Sequence, residues 1–230
     1  MDDPLDNPVW HALNGPLSRF AEKGSGGRAV RFTPKVSIFS AVEQMDAAAW
    51  EAQAELVGEG GAVFFFRDRV PPVPAGWTEF FRGPTYQMLA GELPPPSDLS
   101  LTVLGDTDVD EMIALTQLTV PGPFLERTHE LGFYVGVRQK GKLVAMAGER
   151  FRVPGWTEIS AVCTHPDVQR QGLGAALTLA VAHQIRARGD EAFLHLVETN
   201  VTAKRLYESL GFRVRRMVDV VGAVFGEAQS

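Results

Sequence analysis

One stretch of the sequence combines residue types that suit the binding of a bulky anion. Residues 162–176 read VCTHPDVQRQGLGAA and join a run suited to a β-strand, 156–163, to the apolar recurrence of a long helix, 173–188. Gly172 and Gly174 therefore fall at a helix start, where unpaired N–H groups and the helix dipole favour an anion. Glycine costs a helix about 1 kcal/mol relative to alanine, so this pair indicates a cradle for a phosphate group.

Three other interpretations of these glycines compete with the cradle. A P-loop needs Gly-Lys-Ser/Thr at the helix start, and Gly174-Ala175-Ala176 lacks it. A dinucleotide fingerprint needs a third glycine where the chain has Leu177, although the acidic pair Asp190-Glu191 lies at a suitable distance. In the third interpretation the glycines only ease the packing of the helix and bind nothing.

A second motif follows at residues 200–212, which read NVTAKRLYESLGF. Together the two stretches resemble the GNAT (Gcn5-related N-acetyltransferase) superfamily, and the whole chain is similar to its FR47-like members. The family pattern Gln/Arg-x-x-Gly-x-Gly/Ala is met by Gln169, Gly172 and Gly174. The second signature is met by Asn200, Ala203, Tyr207 and Gly211-Phe212. Two signatures in order are more specific than either alone, and the resemblance is clear from about Leu99 onward.

The resemblance implies the GNAT fold, an α/β (α+β) architecture with a mixed central sheet, an antiparallel meander and flanking helices. We expect the GNAT acetyltransferase domain over residues 98–230. The proline cluster 94–96 indicates a boundary. Residues 1–97 are predicted to form a smaller N-terminal α/β region that covers or extends the sheet. FR47-like relatives often carry a degenerate GNAT-like half at this place.

Hydrophobic periodicity and turn residues predict the elements that position the motifs. Strands are expected over 29–32, 62–66, 101–104, 133–138, 143–151, 156–163 and 192–197. Helices are expected over 8–20, 45–57, 108–118 with Thr107 as its cap, 173–188, and after a cap at Asn200 or Thr199. The chain is expected to end in a hairpin of strands 212–217 and 218–225.

The resemblance implies that acetyl-CoA is the cosubstrate and that no metal is needed. Backbone N–H groups near residues 162–164 would polarise the acetyl carbonyl, and the pantetheine arm would run along the same strand edge. Asn200 would hydrogen-bond the pantetheine, Ala203 would pack beside it, and Arg170 would offer charge to the pyrophosphate. The full expected binding set is Val162, Cys163, Thr164, Gln169, Arg170, Gln171, Gly172, Leu173, Gly174, Ala175, Asn200 and Ala203.

Two residues are candidates for catalysis. A lysine-like amine of pKa about 10.4 is only roughly 0.04% neutral at pH 7, so a base or a water relay assists the attack. Glu158, on the strand that leads to the cradle, is the candidate base, and Tyr207 resembles the general acid of the family. His195, Glu149, His129 and Glu130 remain alternative bases. Cys163 has no evident partner for a covalent mechanism, and relatives mostly use direct attack.

Composition excludes several other classes of protein. The 230-residue chain carries a net charge of −6, which argues against general nucleic-acid binding and suits an amine substrate. No apolar run approaches the roughly 18 residues of a membrane span. The beginning MDDPLDNP is unlike a signal peptide, and the single Cys163 suits a reducing compartment, so a cytoplasmic location is expected. Five scattered histidines and one cysteine indicate no metal site.

Two functions from different classes remain open. The first is an N-acetyltransferase that moves an acetyl group from acetyl-CoA to a primary amine, on a small molecule or a peptide, by direct attack in a ternary complex. The second is a catalytically silent CoA-binding or regulatory module on the same fold. The acceptor is expected to be selected by the loop 121–129, the N-terminal region and the last strands. A homodimer is common in the family and stays open here.

Overall fold

The computed structural model describes residues 3–226 and contains two β-sheets and five α-helices among them. The helices are α1 (Pro8–Leu13), α2 (Ala47–Val57), α3 (Val109–Thr119), α4 (Leu173–Ala187) and α5 (Val201–Ser209). The first strands are β1 (Ala21–Lys23), β2 (Ala29–Phe32), β3 (Ser40–Val42), β4 (Ala62–Arg67), β5 (Trp77–Ala90) and β6 (Thr102–Val103). The others are β7 (Tyr134–Gln139), β8 (Lys142–Val153), β9 (Trp156–Thr164), β10 (Glu191–Val197) and β11 (Phe212–Phe225).

The large sheet has eight strands in the order β4-β11-β5-β10-β9-β8-β7-β6. Strands β7, β8 and β9 form the expected antiparallel meander. Strands β9 and β10 are parallel because α4 carries the chain back across the sheet between them. The three short strands β1, β2 and β3 form a separate small sheet. The mixed sheet and flanking helices are the architecture expected from the sequence.

Each face of the large sheet is covered by a different part of the chain. The apolar stripe of α4, which recurs at helical spacing, is buried against one face through Leu173, Leu177, Val181 and Ile185. The opposite face packs against α1 and the aromatic residues of β2 and β4, with Phe32, Phe66 and Phe151 in the same cluster. The N-terminal region therefore forms a second layer of the structure.

The N-terminal region also supplies strands to the large sheet. Strand β5 pairs with β10 on one side and with β11 on the other, and β4 pairs with the outer edge of β11. Strand β5, which precedes the expected boundary at 97/98, thus lies between two strands that follow this boundary in the sequence. The region extends the sheet, as expected, but the boundary does not separate two sheets.

Several local predictions require correction. The helix expected over 8–20 ends at Leu13, and a 3-10 turn, Ser18–Phe20, follows after Gly15-Pro16. Thr107 does not cap α3; Asp108 instead accepts a hydrogen bond from the Gly105 N–H at 3.0 Å within a 3-10 turn. The hairpin expected over 212–225 is one strand, β11, with an irregularity between Val214 and Arg216.

Strand β5 is absent from the sequence-based expectations. Gly83 and Pro84 lie at its centre, and proline is normally confined to edge strands and bulges. The pairing of β5 with β10 begins at Thr85, one residue after Pro84. Pro84 lacks a backbone N–H, but it lies outside the segment of β5 that pairs with β10. No hydrogen bond to β10 is therefore lost at this residue.

We predict that a fragment of residues 98–230 does not unfold cooperatively. Removing β5 takes away the partner of both β10 and β11 and exposes the apolar face that α1 covers. Thermal circular dichroism of the fragment and of the full chain, under the same conditions, measures this. A cooperative transition of the fragment near that of the full chain would show that the boundary at 97/98 separates a domain that folds alone.

Candidate functional site

The site begins where two parallel strands separate. Strands β9 and β10 pair only as far as Ile159 and Leu194, although β9 continues to Thr164 and β10 to Val197. Just beyond this point β9 contains a bulge, because the pairing with β8 shifts between Ser160 and Cys163. Ala161 in the bulge has φ = 53°, a left-handed value that is costly for alanine. Backbone groups of residues 160–164 thus border an open cleft.

The loop before α4 places Gly172 and Gly174 at the start of the helix. Gly172 lies at the N-cap with φ = 76°, and Arg170 also has a positive φ of 63°. No side chain among the described residues caps α4, so the first N–H groups of the helix remain available for a ligand. The first of its backbone bonds runs from the Ala176 N–H to the Gly172 oxygen at 3.1 Å.

The surroundings of the two glycines argue against the packing interpretation. A Cβ added at Gly172 would meet no atom within 4 Å, so no neighbouring atom requires a glycine there. The positive φ is what favours glycine at this position. A Cβ added at Gly174 would make only an ordinary contact of 3.7 Å with Leu206. Helix packing therefore explains neither residue, and the space beside both is open.

Helix α5 forms the side of the cleft opposite β9. The Asn200 side chain caps this helix by accepting a hydrogen bond from the Ala203 N–H at 3.0 Å, as the sequence predicts. Tyr207 is 8% exposed and packs edge-on against Phe212, with ring centroids 6.0 Å apart. Burial, with a smaller effect from Cys163, raises the pKa of Tyr207 to about 12. Its phenol therefore keeps its proton at neutral pH.

The cleft has a volume of about 1060 Å³ and brings together most of the predicted site residues. Gln171 lines a smaller neighbouring depression, and Glu158 lines neither. None of the described residues that line the cleft is Asp or Glu, and the cations among them are Arg150 and Arg170. The predicted residues that line it are Val162, Cys163, Thr164, Gln169, Arg170, Gly172, Leu173, Gly174, Ala175, Asn200, Ala203 and Tyr207.

Glu158 is fully buried within a chain of ionic and hydrogen-bonding contacts. Its carboxylate accepts two hydrogen bonds from Arg150, at 2.8 and 2.6 Å, and a third from His195 Nδ1 at 2.7 Å. Burial alone would raise the pKa of Glu158, but Arg150 and His195 outweigh it and hold that pKa well below its ordinary value. An amine in the cleft therefore has no direct path to either carboxylate oxygen.

His195 lines the cleft but has both ring nitrogens occupied. Nε2 lies 3.0 Å from the Gln87 side-chain nitrogen, which also donates to the Leu5 carbonyl at 2.8 Å. Because the Gln87 nitrogen is a donor, Nε2 is the acceptor and Nδ1–H donates to Glu158. Burial lowers the pKa of His195 despite the adjacent carboxylate, so the ring is neutral at pH 7.

The other residues considered as bases lie outside the cleft lining. Glu149 contacts Arg188 at 2.8 Å, Glu130 pairs with Arg127, and His129 Nε2 lies 2.9 Å from Asp106. Cys163 does line the cleft, but burial raises the pKa of its thiol to about 11. The thiol is therefore protonated at neutral pH and is a poor nucleophile.

The end of the cleft away from the cradle is lined by residues that carried no sequence motif. Phenylalanines from the N-terminal region line it together with Arg150 of β8 and Thr85 of β5, and Val220 of β11 adds to the wall. The Thr85 hydroxyl is buried without a hydrogen-bond partner among the described residues. Residues 119–123 complete the lining. The phenylalanines are Phe39, Phe64, Phe66, Phe80 and Phe81.

Residues 3–226 contain neither a membrane-crossing helix nor a metal-binding cluster. No helix among them is long and apolar enough to cross a membrane. No three His, Cys, Asp or Glu side chains in this range lie together in a way that would hold a metal ion.

A strand that separates from its parallel neighbour beside an uncapped, glycine-rich helix start is the arrangement that the resemblance to the GNAT superfamily implies. Residues 134–220 match the model of the FR47-like protein family. A solved structure from Novosphingobium aromaticivorans DSM 12444, assigned to the acetyltransferases of the GNAT family, is 37% identical with a TM-score of 0.88. The match covers 98% of this chain and 100% of that one. The chain belongs to the GNAT family.

Other relatives support the same fold over different lengths. A GCN5-related N-acetyltransferase from Kribbella flavida is 20% identical with a TM-score of 0.65, and the match covers 95% of both chains. The mycothiol acetyltransferase of Thermobispora bispora is 48% identical over 65 residues, which are 28% of this chain and 22% of that protein. That of Thermomonospora curvata is 38% identical over 91 residues, 39% of this chain and 30% of that protein. The chain thus matches less than a third of each of these two curated relatives.

We predict that Glu158→Gln lowers the free energy of unfolding by about 3–5 kcal/mol, because it leaves Arg150 buried without its countercharge. The folded pKa of Glu158 is depressed, so its contribution is present above the unfolded value near 4.3 and is lost as the pH falls through the folded value. The difference between wild type and variant should therefore be constant above about pH 5 and shrink below about pH 4.

Urea denaturation at a series of pH values measures this difference. Asp167→Asn is the matched control, because Asp167 is 85% exposed and its pair with His165 is weak. Equal, small losses for both variants at pH 7 would contradict a stabilising role for the buried Glu158 carboxylate.

Proposed function

We propose that this protein transfers an acetyl group from acetyl-CoA to a primary amine. The observation that carries the proposal is the continuity of one cleft from the uncapped start of α4, past the separated edge of β9, to the pocket beside Arg150. Such a cleft accommodates a long cosubstrate at one end and an acceptor at the other. The GNAT relatives bear names that describe the same class of reaction.

The N-terminal groups of α4 would bind the pyrophosphate of the cosubstrate. Leu173, Gly174 and Ala175 offer backbone N–H groups, and Arg170 at the cleft surface adds a positive charge. The pantetheine arm would pair along the unpartnered edge of β9 as an added strand does. The amide nitrogen of Asn200 is its free group, because the side-chain oxygen already caps α5.

The acetyl carbonyl would lie near the bulge of β9. Backbone N–H groups between Val162 and Thr164 would stabilise the oxyanion that forms when the amine attacks. In that step the amine nitrogen bonds to the carbonyl carbon, the carbon–sulfur bond breaks, and the nitrogen loses a proton to water. Tyr207 would donate its phenolic proton to the leaving sulfur and recover one from solvent. A phenol with a pKa of about 12 is fully protonated for this role.

Glu158 would contribute by holding Arg150 and His195 in place. Both carboxylate oxygens are occupied, and a carboxylate with a depressed pKa is a weak proton acceptor. The sequence-based assignment of Glu158 as the base therefore stays a prediction that requires a water relay. The simpler mechanism is that the amine enters the cleft in its neutral form.

The second candidate function is a catalytically silent module that binds CoA. The observation that favours it is the absence, among the described residues lining the cleft, of an unoccupied carboxylate or imidazole that could accept a proton from the amine. Steady turnover with any amine separates the enzyme from the module. Tight cosubstrate binding without turnover across a broad amine panel would favour the module.

We predict that acetyl-CoA raises the melting temperature and that Gly172→Asp abolishes the rise. At about one hundred times the dissociation constant, binding adds roughly 2.7 kcal/mol, equivalent to a shift of about 5–10 °C for a chain of this size. The aspartate carboxylate would repel the pyrophosphate at the start of α4. Differential scanning fluorimetry with and without ligand measures the shift.

Gly155→Asp is the matched control for this measurement. Gly155 has φ = 77°, a Cβ there would also meet no atom within 4 Å, and the residue lies outside the cleft lining. Both variants lose the same kind of glycine, but the Gly155 variant should keep the full shift. A wild-type protein that shows no shift at all would contradict the proposed cosubstrate site.

We predict that Tyr207→Phe lowers kcat about a hundredfold while leaving the affinity for acetyl-CoA unchanged. The substitution removes only the proton donor and keeps the ring against Phe212. Cys163→Ala, at the same cleft, should retain activity because a protonated, buried thiol takes no part in direct attack. Loss of turnover in the cysteine variant, with cosubstrate binding intact, would indicate a covalent mechanism instead.

A further inference from the structure

We infer that the acceptor is an α-amino group on a residue with a large apolar side chain whose carbonyl is part of an amide. An amino acid amide and the first residue of a peptide share this chemistry. The inference rests on the proposed function and names the class of amine that the end of the cleft beside Arg150 fits. Three separate features of that end support it.

The first feature is an aromatic wall that lines the cleft and consists of Phe80, Phe81 and Phe64. Phe80 and Phe81 are neighbours on β5, where alternate side chains would normally point to opposite faces, but a bulge opposite Gly222 brings both rings near Phe64. Ring centroids lie 5.3 Å from Phe64 for Phe80 and 6.5 Å for Phe81. The two side chains remain 50% and 43% exposed. Exposed rings of this size at a cleft favour an apolar ligand group.

Glycines on the same strands leave room for these rings. A Cβ on Gly222 would lie 2.7 Å from the Phe80 ring, and one on Gly83 would lie 2.9 Å from the Phe81 ring. Any other residue would push the ring away from its place. The wall is therefore fixed by backbone positions of β5 and β11 and is available to a flat or branched apolar side chain.

The second feature is the one free nitrogen of Arg150. Its Nε and Nη2 bind Glu158, while Nη1 has no acceptor among the described residues and is not fully buried. The guanidinium lies against Phe39, Phe66 and Phe151, at 4.5–5.4 Å from their ring centroids, so its position is fixed. Because Glu158 already balances its charge, a neutral carbonyl oxygen suits Nη1, whereas a carboxylate would add an uncompensated charge beside Glu158.

The third feature is that the described residues lining the cleft offer no unoccupied carboxylate or imidazole. With Glu158 and His195 occupied, the acceptor has to supply its own neutral form. An α-amino group next to an amide has a pKa of about 7.7–8.0, so roughly a tenth of it is neutral at pH 7, against about 0.04% of a lysine side chain. The absence of Asp and Glu from the described lining residues also disfavours acceptors with a second cationic group.

The test compares five acceptors with the full chain and saturating acetyl-CoA, following CoA release. They are L-phenylalaninamide, the peptide Phe-Gly-Gly, free L-phenylalanine, 2-phenylethylamine and Nα-acetyl-lysinamide. We expect kcat/KM for phenylalaninamide to exceed that for each of the last three by at least tenfold. If kcat/KM for Phe-Gly-Gly equals or exceeds that for phenylalaninamide, the acceptor is the N-terminus of a peptide. If kcat/KM for the peptide is lower, the acceptor is a small amino acid amide.

Variants of the wall test whether the selectivity arises there. Phe80→Ala and Phe81→Ala should each lower the ratio of kcat/KM for phenylalaninamide to that for alaninamide about tenfold, through KM. Met217→Ala is the matched control, because Met217 is 37% exposed on β11 but lies outside the cleft lining, and it should leave the ratio unchanged. Melting temperatures confirm that the variants are folded.

The outcomes distinguish this inference from the function on which it rests. Acetylation of the lysine derivative or of free phenylalanine in preference to the amide would overturn the inference and leave acetyl transfer intact. An unchanged ratio in the Phe80 and Phe81 variants would overturn the role of the wall. Binding of acetyl-CoA without turnover of any acceptor would overturn both proposals in favour of the silent module.

Discussion

The whole site depends on the ending of one pair of parallel strands. Strand β10 stays paired with β5 along its second half, through Val197 and Thr85, so it cannot follow β9 when β9 bends at the Ala161 bulge. The two strands separate after Ile159, and the separation leaves backbone groups of β9 unpaired at the cleft. Unpaired backbone in a sheet interior is costly, so its retention here agrees with a ligand that satisfies these groups.

The N-terminal region helps to enclose the charged groups beside the separation. Arg150, Glu158, His195 and Gln87 form a continuous set of contacts that ends on the Leu5 carbonyl and on Arg215, which pairs with Asp3 and Asp6. Each residue of this set binds a residue on the next strand, and the set ends on the N-terminal segment. Because buried charges are stable only when paired, the segment before α1 is a structural part of the site.

Motifs and periodicity predicted the local backbone geometry at one end of the cleft. Gly172, Gly174 and the Asn200 cap follow local rules, since a positive φ, a helix start and a side-chain cap depend on a few adjacent residues. The pocket beside Arg150 follows no local rule, because it joins Phe80 of an unpredicted strand to residues of β4 and β8. Glu158 shows the same limit: its position on β9 was predicted, but its partners come from strands distant in sequence.

The two halves of the cleft therefore follow different physical requirements. At the start of α4 the groups offered are N–H donors, whose number and direction depend on the helix and not on side chains, so substitutions there act through the backbone. At the other end the groups offered are rings of the N-terminal region and one guanidinium nitrogen, and the guanidinium packs against two of these rings. If the proposed function holds, a change of acceptor can arise by substitution in β4 and β5 without disturbing the start of α4. Strand β5 lies inside the sheet between β11 and β10, so Phe80 and Phe81 have a rigid support beside the proposed reaction centre.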